Sequence, residues 1–259
     1  MRAVITLTTD FGLDDPFVGI MKGVILNLAP SVRIIDITHG IEPQNILQAS
    51  LALESAHAYF PKNTVHLVVV DPGVGSERRP IAVKTKSATF VGPDNGVLTL
   101  AIKTSSRVYE LTKSKYFLDS LSSTFHGRDV FAPASAWIAR GTPLSKMGRK
   151  ISDPHILELP QPRIHESTIT GEIISIDRFG NLISNIPQKL LPETQTDSMS
   201  LQIGKRRIRG LKSHYSQCKP GEVGCLINSW GKLEIFCRDG NAAKKLKCRV
   251  GISLTIKKD

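Results

Sequence analysis

The chain of 259 residues lacks the apolar segments that would send it into or across a membrane. No apolar run approaches the roughly 20 residues that a membrane-spanning helix needs. The amino terminus leads directly into a strand-like segment, without the apolar core of a secretion signal. These absences predict a cytoplasmic protein with no membrane partner.

Cysteine is scarce, and all four cysteines lie late in the chain. None has the C-x-x-C spacing that marks zinc or redox sites. We therefore expect these thiols to be reduced, mostly buried and not catalytic. The four positions are Cys218, Cys225, Cys237 and Cys248.

Acidic residues are few beside the basic ones, and the formal net charge is +11. The excess lies after residue 200, where 14 lysines and arginines stand against four acidic residues. A polyanion such as nucleic acid is one possible partner of such a segment. No stacking aromatic residues interleave these charges, so we favour a solvated basic face over a nucleic-acid site.

The first 70 residues alternate between strand and helix patterns, which predicts a parallel sheet covered by helices. Asp15 and Pro16 fit the N-cap and first-turn positions of the first helix. Six apolar residues of that helix recur at helical spacing and predict its inward face: Phe17, Ile20, Met21, Val24, Ile25 and Leu28. The predicted strands cover 2–8, 32–38 and 64–70, and a second helix covers 45–59.

A change of pattern between residues 152 and 166 predicts a domain boundary, because prolines cluster there and helical periodicity stops. The first domain then covers 1–160, with a hairpin over 81–92, a strand over 107–111 and a helix over 130–140. The second covers 161–259 and reads as a small antiparallel β-barrel. Its predicted strands are 171–177, 182–186, 201–208, 224–228, 232–236 and 250–256.

Two carboxylates fall at strand ends, where ligands bind in parallel sheets. Asp10 follows the first strand and Asp71 the third. After Asp71 a glycine-rich turn (DPGVGSER) can fold Arg78 back toward the carboxylate and keep it ionised. An Asx-type turn with a surface arginine is the alternative. The glycine spacing fits neither the dinucleotide fingerprint nor the Walker pattern.

His126 lies on a loop ahead of a helix, where its imidazole can face a cleft or remain structural. In the second domain, Asn181 separates two strands and can read a heterocycle edge through its donor and acceptor together. A metal site that combines Asp10, Asp71, His39 and His126 is a rival interpretation. The scattered spacing does not support a metal site.

Seven ordered motifs, spread over nearly the whole chain, resemble the family of S-adenosyl-L-methionine (SAM) hydrolases. This family is also called the SAM hydroxide adenosyltransferases, and its relatives are fluorinase and chlorinase. The motifs are TDFG at 9–12, DITH at 36–39, VDPGVG at 70–75, PDNG at 93–96, FHGRD at 125–129, DRFGN at 177–181 and NSWGKLE at 228–234.

The resemblance implies a helix-covered sheet domain followed by a small β-barrel, assembled as a homotrimer. The ligand is implied to bind between one subunit's first domain and a neighbour's second domain. SAM is then the substrate, with no cofactor, and water or hydroxide attacks ribose C5′ to give adenosine and methionine. A SAM- or nucleoside-binding regulatory module with little turnover is the alternative.

The resemblance also assigns roles to individual residues. Asp71, Arg78 and His126 match the family's catalytic set. The halogenating relatives carry tyrosines at the positions of Asp71 and His126, and fluorinase has an inserted loop ahead of 90–96 that this chain lacks. A carboxylate beside the nucleophile position repels halide, so these residues favour hydroxide.

The substrate-binding residues that the resemblance implies lie in both domains. Asp10 is implied to hold the ribose hydroxyls, and Asp15 to line the site. Asn181 is implied to bind adenine, near Trp230, which stands where the family more often has phenylalanine. Three residues are implied to hold the methionine end: Asp177, Ser229 and Glu234.

Overall fold

The computed structural model describes residues 2–191 and 198–257, which form two compact units, Met1–Leu157 and Glu158–Asp259. No helix in this described part is long and apolar enough to cross a membrane. Each unit has its own apolar core.

The first unit is built on a seven-stranded sheet with the strand order β2-β1-β3-β5-β4-β6-β7. Strands β2, β1, β3 and β5 pair in parallel, and β4, β6 and β7 extend the sheet through antiparallel pairs. The strands are β1 (Val4–Thr9), β2 (Arg33–Thr38), β3 (Thr64–Val69), β4 (Pro80–Lys84), β5 (Ala88–Pro93), β6 (Arg107–Leu111) and β7 (Gly148–Ile151). This arrangement confirms the predicted helix-covered, mainly parallel sheet and its 81–92 hairpin.

Helices cover both faces of the sheet because the central strand β3 is apolar on both sides. Successive residues of β3 point to opposite faces: Leu67 packs with helices α1 and α3, and Val68 packs with helix α2. The helices are α1 (Phe17–Leu28), α2 (Ile46–Ala56), α3 (Ala132–Ala139) and the short α4 (Leu144–Met147). Asn45 caps α2 by accepting a hydrogen bond from the Gln48 backbone at 2.9 Å.

The start of α1 differs from the prediction in two respects. Pro16 occupies the N-cap position without a side-chain hydrogen bond, and Asp15 lies outside the helix, so the predicted cap is wrong. Phe17 and Ile20 are 41% and 38% exposed, so they are not part of the buried face. The predicted Met21 and Ile25 are buried there together with Val18, and the predicted Val24 and Leu28 pack against the same core while partly exposed. Periodicity identifies an apolar stripe, but it cannot tell which edge of the stripe meets the sheet.

The predicted helix over 130–140 begins earlier and less regularly than expected. A π-helical turn, Gly127–Phe131, leads into α3, with Pro133 in the first turn of the α-helix. This wide turn follows His126 directly, so it sets where the histidine leaves the helix. Such turns are frequent at functional sites.

The second unit is a nine-stranded, nearly closed, barrel-like sheet, mostly antiparallel, as predicted. Its strands are β8 (Arg163–His165), β9 (Thr168–Ile176), β10 (Leu182–Pro187), β11 (Ser200–Ile203), β12 (Arg206–Arg209), β13 (Leu211–Lys212), β14 (Val223–Ile227), β15 (Lys232–Cys237) and β16 (Ser253–Lys257), with the short helix α5 (Ala242–Leu246). The single strand expected over 201–208 is wrong, because β11 and β12 form a hairpin there. Gly204, at a φ of +52°, makes the turn between them.

The four cysteines are free thiols, and all belong to the second unit. Cys218, Cys225 and Cys237 are buried, and Cys248 is half-buried, which confirms the expected burial. Burial raises the pKa of the Cys225 thiol to about 12, so this thiol is protonated and unreactive at neutral pH.

Candidate active site

The loop after β3 folds back on itself, so that its last residues approach its first residue, Asp71. Val74 donates its backbone N–H to the Asp71 carbonyl at 3.2 Å, and Ser76 Oγ donates to the Gly73 carbonyl at 2.6 Å. These turns bring Arg78 back to the Asp71 carboxylate. Its Nε and Nη2 donate to Oδ1 and Oδ2 at 2.9 and 2.5 Å. The pair is therefore bidentate, the strongest geometry for these two groups.

This ion pair is desolvated. The Asp71 side chain is 5% exposed and that of Arg78 is 8% exposed, and the guanidinium carbon lies 5.1 Å from the centre of the Phe131 ring. Removing one partner of a buried pair leaves an uncompensated charge, which typically costs about 3–5 kcal/mol. The alternative of a surface arginine beside an Asx turn is thus wrong for Arg78.

His126 joins the pair through the same guanidinium. Arg78 Nη2 lies 2.7 Å from His126 Nδ1. Arginine has only donors, so Nδ1 must accept and the neutral ring carries its proton on Nε2. Burial lowers the pKa of His126, and the positive charge of Arg78 lowers it further, against the opposing effects of Asp71 and Asp129. The imidazole is therefore neutral near pH 7.

Gly75 explains why two loops that lie far apart in sequence meet here. Its φ is +79°, and a Cβ on it would collide with the backbone carbonyl oxygen of Ser123. Only glycine permits this approach without strain. The contact sets the Asp71–Arg78 loop against the segment that leads to His126.

Asp129 fixes the same segment from the other side. This carboxylate is fully buried, and it accepts hydrogen bonds from the Ser122 backbone at 2.7 Å and from Arg128 Nε at 2.5 Å. It belongs to the FHGRD motif, but the sequence analysis gave it no role. The signal that could have identified it is an acidic residue at the start of a buried helix, next to an arginine.

Asn95 holds the end of β3 in place. Its Nδ2 donates to the Val70 carbonyl at 2.9 Å, and its Oδ1 accepts from the Val97 backbone at 3.1 Å. The predicted tight turn over 93–96 is therefore also a support for the residue that precedes Asp71. The neighbouring Asp94 pairs with Arg79 at 2.6 Å.

Asp10 lies at the same edge of the sheet as Asp71. Thr9 and Val69 are paired residues of the parallel strands β1 and β3, so the residues that follow them share one edge. Asp10 Oδ2 accepts the backbone N–H of Gln44 at 2.8 Å, a residue held at a φ of +68°. In contrast, Asp15 is exposed in the loop ahead of α1.

An aromatic cluster lies beside these residues. Phe11, Phe17 and Phe125 contact one another with ring centres 5.2 to 5.9 Å apart. The cluster joins the TDFG loop, the start of α1 and the His126 loop. The contacts of Phe17 with the other two rings, and not burial in the core, account for its apolar side chain.

In the second unit, Asp177 organises the turn between β9 and β10. Its Oδ1 accepts the backbone N–H groups of Phe179 and Asn181 at 2.9 and 2.8 Å, and its Oδ2 accepts Asn181 Nδ2 at 2.9 Å. Gly180, at a φ of +85°, leaves room for the side chain of Asn241. Asn181 is buried and Phe179 is 75% exposed.

Glu234 is a buried carboxylate on β15, and it is 3% exposed. Tyr215 donates its hydroxyl to Glu234 Oε1 at 2.9 Å. Burial raises the pKa of Glu234, and the charge of Asp177 adds to the rise, against hydrogen bonds from Tyr215 and Asn228. Burial and the bond to Glu234 raise the pKa of Tyr215 to about 12. Sequence reasoning missed Tyr215, which lies in none of the seven motifs.

Ser229 and Trp230 form the exposed tip of the turn between β14 and β15. Asn228 Oδ1 holds this turn by accepting the backbone N–H groups of Trp230 and Lys232 at 3.0 and 3.1 Å. The Trp230 side chain is 41% exposed. An indole in this position offers a flat apolar surface to a ring system.

Within residues 2–191 and 198–257, no three histidine, cysteine, aspartate or glutamate residues are arranged to hold a metal ion. The His39 ring instead bonds Thr9 Oγ1 at 2.8 Å and lies 3.2 Å from Asp36. The described residues thus do not support the rival interpretation of a metal site.

The first unit is thus a helix-covered sheet with the partly buried Asp71–Arg78–His126 group at its carboxyl edge, and the barrel-like second unit carries the carboxylates Asp177 and Glu234. Residues 5–148 match the SAM hydroxide adenosyltransferase N-terminal domain, and residues 171–255 match the C-terminal domain of that family. The chain belongs to the SAM hydroxide adenosyltransferase family.

Individual relatives match over nearly their full length. An (R)-S-adenosyl-L-methionine hydrolase from Salinispora tropica is 34% identical, covering 97% of both chains. A fluorinase from an Actinoplanes species is 28% identical, covering 98% of this chain and 97% of the relative. A crystal structure of an uncharacterized conserved protein from Thermotoga maritima has a TM-score of 0.91 and 36% identity, covering 97% of this chain and 99% of that one.

Proposed function

We propose that this chain hydrolyses SAM to adenosine and L-methionine by attack of water at ribose C5′. The observation that carries the proposal is the bridge that Arg78 makes between Asp71 and His126. The named hydrolase relatives support the substrate and the reaction. The substrate's sulfonium is already a good leaving group, so the protein needs mainly to align the nucleophile.

The hydrogen bonds of Arg78 support Asp71 as the proton acceptor. His126 Nδ1 is occupied by the Arg78 N–H, and Nε2 carries a proton, so the neutral ring can only donate to the water oxygen. Each Asp71 oxygen has further acceptor capacity beyond its bond to Arg78. Asp71 therefore takes the proton as the C5′–O bond forms. The C5′–S bond breaks at the same time, and its electron pair neutralises the sulfur of methionine.

The charge of Asp71 also selects the nucleophile. A carboxylate at the nucleophile position attracts the hydrogens of water and repels a halide ion. A tyrosine at this position, as the family resemblance implies for the halogenases, carries no such charge. We therefore propose water or hydroxide, and not chloride or fluoride, as the reacting group.

The remaining residues hold the substrate's two ends. In the first domain, 1–160, Asp10 binds the ribose hydroxyls and Asp15 lines the rim. In the second, 161–259, Asn181 and Trp230 contact adenine. Three residues of the second domain bind the methionine end: Asp177, Ser229 and Glu234. The buried Glu234 and the half-buried Asp177 support this assignment, because the charge of Asp177 raises the pKa of Glu234 and an ammonium group would offset their repulsion.

We further propose a homotrimer whose sites lie between subunits, without a metal or other cofactor. The exposed apolar side chains near Asp10 support an interface there. Leu13 is 74% exposed and Phe17 41% exposed, and exposed apolar groups of this kind are typical of contact surfaces. The four free thiols fit the reducing cytoplasm, where we place the enzyme.

Product analysis tests the function directly. Purified protein is incubated with SAM in chloride-containing buffer, and the products are separated by chromatography. We expect adenosine and methionine in equal amounts. 5′-Chloro-5′-deoxyadenosine would instead make the chain a halogenase. SAM that is bound but unchanged would favour the regulatory module.

The variant Asp71→Asn tests the assigned acceptor. Because a general base contributes about 10²–10⁴-fold, we expect kcat to fall by about 100-fold or more. Asp153→Asn is the matched control, since Asp153 also pairs with an arginine but its side chain is 75% exposed. Full turnover by Asp71→Asn would overturn the mechanism.

A further inference from the structure

A cavity lies at the edge of the first unit's sheet opposite to the candidate active site. Its volume is about 810 Å³, and its walls are the amino ends of the parallel strands together with the segment after α3. Val4 and Thr64, the first residues of β1 and β3, line it. Asp10 and Asp71 follow the other ends of these two strands. The cavity therefore does not share the candidate active site.

Among the described residues, five cationic side chains and no acidic one line this cavity. The topology of the sheet brings them together. Strands β1, β2, β3 and β6 all begin at this edge, each with a cation at or shortly before its first residue, and the antiparallel strand β4 ends there with another. The five cations are Arg2, Arg33, Lys62, Lys84 and Arg107.

These charges are not neutralised within the described chain. None of the five has a carboxylate within 4.0 Å among the described residues, whereas Arg78, Arg79 and Arg149 all do. Lys84 bonds a neutral partner, Thr89 Oγ1, at 3.2 Å. A concave surface lined by one sign of charge concentrates ions of the opposite sign. The unpaired state of all five cations thus points to an anionic ligand.

The volume of the cavity and its uncharged lining residues limit the class of ligand that it can bind. A volume of about 810 Å³ falls within the range of small-molecule sites and far exceeds what one simple anion fills. Ile138, Leu144 and Tyr109 supply apolar wall, and Thr142 and Asn63 supply neutral polar groups. Three of the five cations are arginines, whose planar fork matches phosphate oxygens. The combination fits several linked phosphates better than one isolated charge.

We propose that this amino-edge cavity binds a small molecule that carries two or more phosphate groups, such as a polyphosphate or a nucleoside triphosphate. The site is separate from SAM hydrolysis and does not depend on it. Guanidinium and ammonium groups bind the phosphates, and the apolar wall receives any attached organic part.

Isothermal titration with tripolyphosphate is the first test, at constant ionic strength. Tripolyphosphate is preferred because ATP contains adenosine, which the proposed SAM site would also bind. ATP is then titrated in the presence of saturating adenosine, to show whether an organic part adds affinity. We expect saturable binding of tripolyphosphate, at least about 10-fold tighter than that of inorganic phosphate.

The double variant Arg33→Gln/Arg107→Gln locates the site. Both arginines lie at strand starts and are exposed, so the fold should tolerate the change, and SAM turnover should be unaffected. We expect tripolyphosphate affinity to fall about 10-fold or more. The control is Arg163→Gln/Arg206→Gln, which removes the same charge from exposed strand positions of the second unit. Equal affinity of wild type and the Arg33/Arg107 variant, or a loss confined to the control, would overturn the proposal.

Discussion

Arg78 is the residue on which the site's geometry depends. Its guanidinium donates two hydrogen bonds to Asp71 and one to His126, and it is nearly excluded from solvent. A lysine has one compact charge and cannot reproduce this planar, three-bond arrangement. The same arginine that orients the carboxylate also decides which nitrogen of the imidazole carries the proton.

The activity of the wild type should persist in mildly acidic solution. Because the pKa of His126 is lowered, the ring stays neutral as the pH falls through 6.5, where an ordinary histidine is half protonated. Further acid protonates Nδ1, which then cannot accept the Arg78 N–H, and kcat/KM falls. In His126→Asn this contribution to the acid limb disappears, and kcat drops by about 100-fold.

Profiles of kcat/KM from pH 4.5 to 8 measure this limb, with His155→Asn as the control, because His155 is an exposed histidine of the same unit. A wild-type midpoint at or above 6.5 that His126→Asn shifts would contradict the lowered pKa. An unchanged limb in His126→Asn would assign the titration to another group.

Tyr215 should affect substrate binding more than turnover. Tyr215→Phe removes the hydroxyl that donates to Glu234, so the pKa of Glu234 rises further and the carboxylate holds an ammonium less well. We expect KM for SAM to rise about 3- to 10-fold with little change in kcat, and more at pH 6 than at pH 8. Steady-state kinetics at both pH values measure KM and kcat separately.

Tyr59→Phe provides the comparison, since Tyr59 is 82% exposed. A fall in kcat at constant KM would remove Tyr215 from the binding role.

The sequence pattern predicts the local part of the site and not its distant contacts. Asp71 and Arg78 are seven residues apart, and the glycine-rich turn between them makes their pairing one of two interpretations, beside a surface arginine at an Asx turn. His126 is 48 residues from Arg78, and no local pattern specifies that bond. The PDNG motif marks Asn95 only as part of a turn, and Tyr215 acts through another side chain and lies in no motif.

At the scale of the elements, β3 carries a buried histidine that should make the first unit sensitive to acid. His66 is fully buried, lies 2.7 Å from Thr6 Oγ1 through Nδ1 and stacks on Phe90 at 5.0 Å. Burial lowers its pKa to about 4. The neutral ring therefore contributes stability that is complete above pH 6.5 and is lost as the pH falls toward 4.

Urea unfolding at pH 7.5 and 4.5, followed by circular dichroism, measures this dependence. The pKa difference corresponds to about 2–3 kcal/mol lost from the wild type over that range. His66→Gln should be less stable at pH 7.5 but lose less on acidification. His165→Gln, at an exposed histidine of β8, should behave like the wild type. An identical pH dependence in His66→Gln would show that His66 is not the titrating group.

Most strands and helices follow from the sequence because their signals are local. Alternating apolar residues give the strands, and Asn45 marks the start of α2. The predicted face of α1 is confirmed at Met21 and Ile25 and wrong at Phe17, which packs with Phe11 and Phe125 instead of the sheet. The turn within 201–208 was missed because Gly204 and its neighbours lie between equally strand-like residues.

At the scale of the whole molecule, the proposed trimer predicts that two inactive variants recover activity when their subunits are combined in one trimer. Asp71→Asn damages the first domain's share of a site, and Glu234→Gln damages the second domain's share. If each site takes its two domains from different subunits of a cyclic trimer, every trimer that contains both variants has one intact site, so about a third of the sites recover. Co-purification through two different tags, followed by the SAM assay, measures the recovery.

Homogeneous preparations of each variant are the controls. If each site lay within one subunit, the mixed protein would have no more activity than the average of its two parents.

The confinement of every cysteine to the barrel-like unit has a practical consequence. The first unit contributes no thiol, and three of the four in the second are sheltered from solvent. A thiol-reactive dye added under native conditions therefore labels the half-buried Cys248 first, and the three buried thiols react only as the second unit opens. Labelling of the buried native thiols thus reports on the opening of the second unit alone, and no cysteine needs to be engineered for this measurement.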